Sequence, residues 1–222
     1  MKRRTLDYIF SVGGVVLAVL LLVLGLVMKS NADFAKSYVK NQLTAQKINF
    51  TPLAGLSDEE KTSSCLVAYA GTPMDSGKKA ECYANDYINL HLASAATAAG
   101  YPGETYASIG AVQRGLKVSL QAATDAGKPT TDIQATIDTV NGLRDTQFKG
   151  ETLRGLLLTS YGFSVFGEKG SQAELVAFLA ALTLLLASIA GAIHAIKTPK
   201  DEVVLGTPVN GSHDDLRVPA HV

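Results

Sequence analysis

The residues of this chain that carry reactive or ligating groups are few and widely spaced. Cys65 and Cys82 are the two cysteines, separated by residues 66–81. The pair lacks CxxC spacing and cannot supply the four ligands of a structural zinc site. In an oxidising compartment its expected state is a disulfide; two unrelated buried thiols are the alternative. His91 sits in YINLHLASA, on the tyrosine-bearing side of its helix. No GxSxG elbow or other nucleophile motif accompanies it, so a packing or surface role is expected rather than a Ser–His–acid site. Glu151 and Arg154 stand at i, i+3 and are expected to pair across one helical turn. His194 is the titratable group inside an otherwise apolar run, one turn from its end, where it can reach lipid headgroups. His213-Asp214-Asp215 belongs to a polar tail and is expected to be solvated. The chain shows no phosphate loop, dinucleotide fingerprint, CxxCH haem site or iron–sulfur cysteine set. The expectation is a protein without catalytic, cofactor or metal residues.

Two long apolar runs organise everything between them. Leu175 to Ile196, LVAFLAALTLLLASIAGAIHAI, contains no Asp, Glu, Lys or Arg. As a helix it reaches about 33 Å, enough to cross a bilayer core. Tyr8 to Met28, YIFSVGGVVLAVLLLVLGLVM, is equally free of charge. Its length exceeds a signal-peptide core, so a retained anchor is expected despite the small residues Ser30-Asn31-Ala32. Lys2, Arg3 and Arg4 precede the first run, and Lys197 and Lys200 follow the second. The positive-inside rule then places both termini in the cytoplasm and the central segment outside. The expected divisions are a cytoplasmic start (1–7), a first span (8–28), an extracytoplasmic domain (29–174), a second span (175–196) and a disordered cytoplasmic tail (197–222). The spans hold no paired carboxylates or basic residues, which argues against a pump or transporter. The tail is too short to be the output domain of a sensor.

Small residues mark helix-packing faces on the spans. Gly14 and Ala18 lie on the first, and Ala177, Ala181, Ala187, Gly191 and Ala195 on the second. Spacing of four lets helices approach closely in lipid, where packing drives association. The partner is either the other span or a helix of another subunit. Tyr161, Phe163 and Phe166 form an aromatic collar before the second span.

The central segment reads as helices throughout. Ser57-Asp58-Glu59-Glu60 is a capping box opening a helix that carries Cys65, Leu66 and Tyr69. Ser76 or Asp75 caps the next, ending near Gly100 to Gly103. Glu104 to Ala126 repeats the helical period until Gly127-Lys128-Pro129. Thr131 or Asp132 caps a further helix, and Phe148-Lys149-Gly150 separates it from a last one, in which Gly155 and Gly162 permit close backbone approach. The fold class is all-α: two transmembrane helices flanking a small disulfide-stapled helical bundle. The formal net charge is zero, and 47% of residues are hydrophobic; without a concentrated basic surface a nucleic-acid partner is not expected.

The first span with its extension, MKRRTLDYIFSVGGVVLAVLLLVLGLVMKSNADFAKSYVKNQL, the Cys65 and Cys82 pair with YANDYINLHL, and FKGETLRGLLLTSYGF resemble a group of actinobacterial two-span membrane proteins. This family includes the respiratory supercomplex-associated factor. The resemblance covers both spans and the external domain but not the tail. It implies a non-catalytic accessory subunit of the cytochrome bcc–oxidase supercomplex in the plasma membrane, with other respiratory subunits and lipids as partners. The alternative is a stand-alone envelope protein that binds a lipid or small ligand in its external domain.

Overall fold

The computed structural model describes residues 2–200 and 202. His213-Asp214-Asp215 and most of the polar tail therefore lie outside the described residues. The fold is all-α, as expected. Its helices are α1 (Arg3–Ala45), α2 (Ser64–Tyr69), α3 (Gly77–Cys82), α4 (Asn89–Ala98), α5 (Tyr106–Asp125) and α6 (Thr131–Lys197). A π-helical stretch, Tyr83–Ile88, joins α3 to α4. Short 3-10 turns occupy Leu53–Gly55 and Glu60–Thr62. An isolated antiparallel bridge joins Asn49 and Pro73.

Proline placement sets the extent of the long helices. No proline lies between residues 1 and 51, and α1 runs on until Lys47 turns left-handed at φ 55°. Pro129 precedes α6 and Pro199 follows it, with none between. A proline disfavours α geometry in the residue before it, so α6 stops at Lys197. The expected break at Phe148-Lys149-Gly150 does not occur. One glycine costs a helix only about 1 kcal/mol, and a Cβ at Gly150 would meet Leu92 Cδ2 at 2.5 Å. Gly150 thus serves the packing of α4 on α6 without breaking α6. Gly155 and Gly162, by contrast, have nothing within 4 Å of a Cβ position, and the close approaches in this region are at Gly77, Gly150 and Gly167.

The chain forms two compact units. Among the described residues, one comprises those up to Lys29 together with those from Gln172 on, the other Ser30–Ser171. The first unit pairs the beginning of α1 with the end of α6. Each helix contains a stretch long and apolar enough to cross a membrane. Their contact is built from small residues: Ala18, Ala177, Ala181 and Ala195 are buried. A Cβ at Gly14 would collide with the Ser188 side chain, and one at Gly25 would come within 2.5 Å of the Phe178 ring. The large aliphatic side chains point outward, Phe10 being 70% and Leu186 60% exposed. That inverts the pattern of a water-soluble pair and suits helices surrounded by apolar solvent.

The second unit has two cores. The larger gathers Val39 and Leu43 from α1, Phe50, Leu66, Met74, Ala80, Ile88 and Leu92, and Leu157 from α6. The smaller joins Ala96, Ile109, Val140 and Leu143. Buried Gln147 ties the region together by donating to the carbonyls of Leu92 at 3.1 Å and Glu104 at 3.4 Å. The Cys65–Cys82 disulfide forms, with Cα atoms 6.1 Å apart, and staples α2 to α3.

The capping box at Ser57 forms, but not as a helix start. Ser57 N–H donates to Glu60 Oε2 at 2.7 Å and Glu60 N–H to Ser57 Oγ at 3.1 Å. It closes a turn leading into Glu60–Thr62, and Ser63 then caps α2 through Leu66 N–H. Thr105 and Ser108 make a second reciprocal box at the start of α5.

Candidate functional site

The only conjunction of titratable and aromatic side chains with a buried charge lies beside the disulfide, among the described residues. Three successive turns of the helical stretch from Gly77 to Ala98 contribute one ring each. Tyr83 stacks on Tyr87 with centroids 4.5 Å apart, and Tyr87 packs on His91 at 4.3 Å. Spacing of four residues stacks these side chains along one face. Phe50 meets Tyr83 edge-on at 5.4 Å and Tyr69 at 5.6 Å. At the far end His91 Nε2 lies 3.1 Å from Glu60 Oε1.

Glu60 is buried, whereas the His91 side chain is half exposed. The Ser57 backbone N–H, more than any other group, holds the Glu60 carboxyl below its ordinary value of 4.5; His91 and the Ser57 hydroxyl act in the same sense, and burial opposes them. Burial pushes the Tyr83 hydroxyl up to about 12, aided by Tyr87. Both residues therefore stay in fixed states near neutrality, Glu60 ionised and Tyr83 neutral.

This arrangement is a clamp, in which the Ser57 hydroxyl also accepts the Glu60 backbone N–H. Glu60 ties the loop before α2 to the helix bearing His91. Because its folded pKa is depressed, its contribution to stability is present above the unfolded carboxylate's value and lost as pH falls through the folded value. Glu60→Gln is expected to lower stability by about 1–3 kcal/mol at neutral pH. Thermal unfolding across pH should show the gap between wild type and variant shrinking below pH 4.5. A gap that stayed constant from neutrality to acid would sink the assignment.

Cys65, Cys82 and Asp86 have ligand atoms within 4.8 Å of one another. The two sulfurs are bonded to each other. A metal ligand must be a thiolate, so this trio does not fit a metal ion while the disulfide is intact. Asp86 Oδ2 rests 2.8 Å from Cys65 Sγ.

Arg154 and Glu151 pair as expected, with Nη1 2.9 Å from both carboxylate oxygens. Arg154 also donates through Nε to the Ala84 carbonyl at 3.0 Å, fastening the π-helical stretch to α6. In the first unit His194 Nδ1 lies 3.0 Å from Asp7 Oδ2 and near the Thr198 hydroxyl. Glu174, at the outer end of the second apolar run, is mostly buried and lies 4.0 Å from Lys29 Nζ.

The small residues singled out in the sequence fall mainly on one seam. Gly14 faces Ser188 and Gly191 faces Ser11. Ala18, Ala177, Ala181 and Ala195 are buried in the same unit, and Ala187 remains exposed. Sequence reading missed Glu60 as the partner of His91, because its place in the capping box accounted for it locally. Comparison with family models, with curated proteins and with solved structures finds no match for this chain.

Proposed function

We propose that this chain is a non-catalytic accessory subunit of a plasma-membrane protein complex. Residues 8–28 and 175–196 span the bilayer, with both termini in the cytoplasm and residues 29–174 outside. The observation that carries this reading is the division of surfaces in the first unit. Small residues are consumed in pairing the two helices, while Phe10, Leu17, Leu20, Leu182 and Leu186 face outward. Such a surface needs lipid or neighbouring apolar helices around it. The disulfide supports an oxidising location for the domain between the spans. The positive residues at the ends of both apolar runs support the orientation.

The external unit supplies a second contact surface. Phe34 stacks on Tyr38 at 5.5 Å, Tyr38 meets Phe163 at 6.3 Å, and Phe166 is 76% exposed. Exposed aromatics of this kind suit interfaces, where they become anchors on burial. The resemblance to actinobacterial supercomplex-associated subunits makes the cytochrome bcc–oxidase assembly the proposed complex. The role is structural: the outward span faces pack on partner helices, and the external unit caps or bridges subunits.

Affinity purification of the tagged full chain in mild detergent is the test. Haem absorbance co-eluting with the chain is the expected result. A chain that purifies alone, free of cytochromes, overturns the reading. One observation favours the alternative of a ligand-binding envelope protein. An apolar cavity of about 230 Å³ lies between α1 and α6, lined by Tyr38, Val39, Gln42, Thr159, Ser160 and Phe163. A stoichiometric lipid retained by a chain that elutes alone would select that alternative.

A further inference from the structure

A second cavity in the external unit differs in chemistry from the apolar one. It is a half-open pocket of about 290 Å³ bordered by α1, the start of α3 and α6, and its lysine side chains are exposed. Lys36, Lys40 and Lys78 line it, together with Ser76, Asp75 and Glu168. Lys36 reaches Ser171 Oγ at 2.6 Å. Lys40 and Lys78 enter no ion pair among the described residues. Asp75 is already matched, with Oδ1 2.9 Å from the ammonium of Lys79, a residue outside the lining. The Ser76 hydroxyl accepts the Lys79 backbone N–H at 3.4 Å, which leaves its own hydrogen free to donate.

The charge balance indicates what the cavity takes. Three lysines contribute three positive charges, the Asp75–Lys79 pair cancels, and Glu168 subtracts one. The remainder is two positive charges. A phosphomonoester carries about −1.5 to −2 at neutral pH and three acceptor oxygens. Lysine ammonium groups bind phosphate as mobile point charges, without the planar geometry that arginine imposes. The wall depends on a close approach at one point. A Cβ at Gly77 would approach within 2.5 Å of Ser164 Cβ and 3.2 Å of Tyr161 Cα. Glycine there lets the start of α3 sit directly on α6, which brings Ser76 and Lys78 alongside the α1 lysines.

We propose that this cavity is a binding site for a phosphomonoester group. Lys40 and Lys78 neutralise the phosphate, Lys36 turns from Ser171 to join them, and Ser76 donates to a phosphate oxygen. Glu168 opposes any anion here, and the lysines outweigh it. The group can come from a soluble phosphate or from the head of a phosphatidate-type lipid, and the two sources are separable experimentally. The site is independent of the accessory-subunit reading.

The test uses the disulfide-intact full chain in detergent micelles. Inorganic phosphate is titrated by equilibrium dialysis, and short-chain phosphatidate is titrated against short-chain phosphatidylcholine. Saturable one-to-one binding is expected, with Lys40→Gln/Lys78→Gln weakening it by about tenfold or more. Lys117→Gln/Lys128→Gln removes the same charge elsewhere and should bind as wild type does. Glu168→Gln is expected to tighten binding severalfold, a gain that a misfolded variant cannot produce. Binding of phosphatidate but not of phosphate identifies a lipid source, and competition between them identifies the phosphate group itself. The proposal is overturned if neither probe saturates, or if the Lys40/Lys78 variant and the Lys117/Lys128 control bind alike.

Discussion

Replacing Cys65 and Cys82 together by serine is expected to lower the stability of the full chain by about 3 kcal/mol. The bridge closes a loop across a sequence separation of 17 residues. Its chief effect is to remove loop entropy from the unfolded chain, which near this length corresponds to that amount at room temperature. The location raises the stake. Cys82 is buried in the larger core, and Cys65 packs against it. The segment from Phe50 to Met74 has little regular structure of its own. Phe50 N–H closes it on itself by donating to the Thr72 carbonyl at 2.9 Å, and besides the bridge it is tied outward by Met74 N–H to the Ile48 carbonyl at 2.9 Å and by the contact of Glu60 with His91. Thermal unfolding of purified protein with and without reductant measures the effect, and the double serine variant controls for side reactions. Wild type under reductant should match the variant and melt several degrees below oxidised protein. Coincident curves for oxidised and reduced protein would show that the bridge contributes nothing.

Much of this fold was legible because its signals are periodic and long. Apolar runs without charge specify the two spanning-length stretches by hydropathy alone, and helical spacing marks the helices between them. The cysteine pair was legible from context. What escaped detection depended on tertiary contact. The role of Gly150 depends on Leu92, a residue distant in sequence that fills the space a side chain would take. The stripe Leu153, Leu156, Leu157 and Tyr161 satisfies the period for a buried face. Yet Leu156 is 63% exposed and only Leu157 is fully enclosed. Periodicity reports which side chains share a face, not how much of that face a neighbour covers.

The candidate sites show the same division. His91 stood out as the sole histidine of the central segment, but its partner Glu60 did not. Local capping explained Glu60 completely, and the 31-residue separation hid the second contact. The lysine-lined cavity draws on residues near 36–40, 75–78 and 164–168. None of these is a motif, because the grouping exists only once α3 lies on α6. The small-residue rows were visible as rows. The structure adds that Gly14 and Gly191 face Ser188 and Ser11 within one unit. The small residues are thus used within the chain, and the large aliphatic side chains are left exposed.

Leu157→Ala is expected to destabilise the external unit by about 2–5 kcal/mol. Leu157 is 1% exposed and is the fully buried α6 residue of the larger core. It belongs to a buried cluster drawn from α1, α2 and the helix that begins at Gly77. Truncation removes its apolar contacts in that cluster and leaves a void. The adjacent Leu156→Ala is the control. Leu156 has identical chemistry but is 63% exposed, so its truncation should change stability by no more than about 0.5 kcal/mol. The comparison separates packing from helix propensity, since both substitutions introduce alanine into the same turn of α6. Thermal unfolding gives the magnitude. Amide hydrogen exchange gives the location, and protection should fall in residues 64–92 for Leu157→Ala alone. Equal loss in the two variants would mean that α6 contributes to this core through helix formation rather than through the Leu157 side chain.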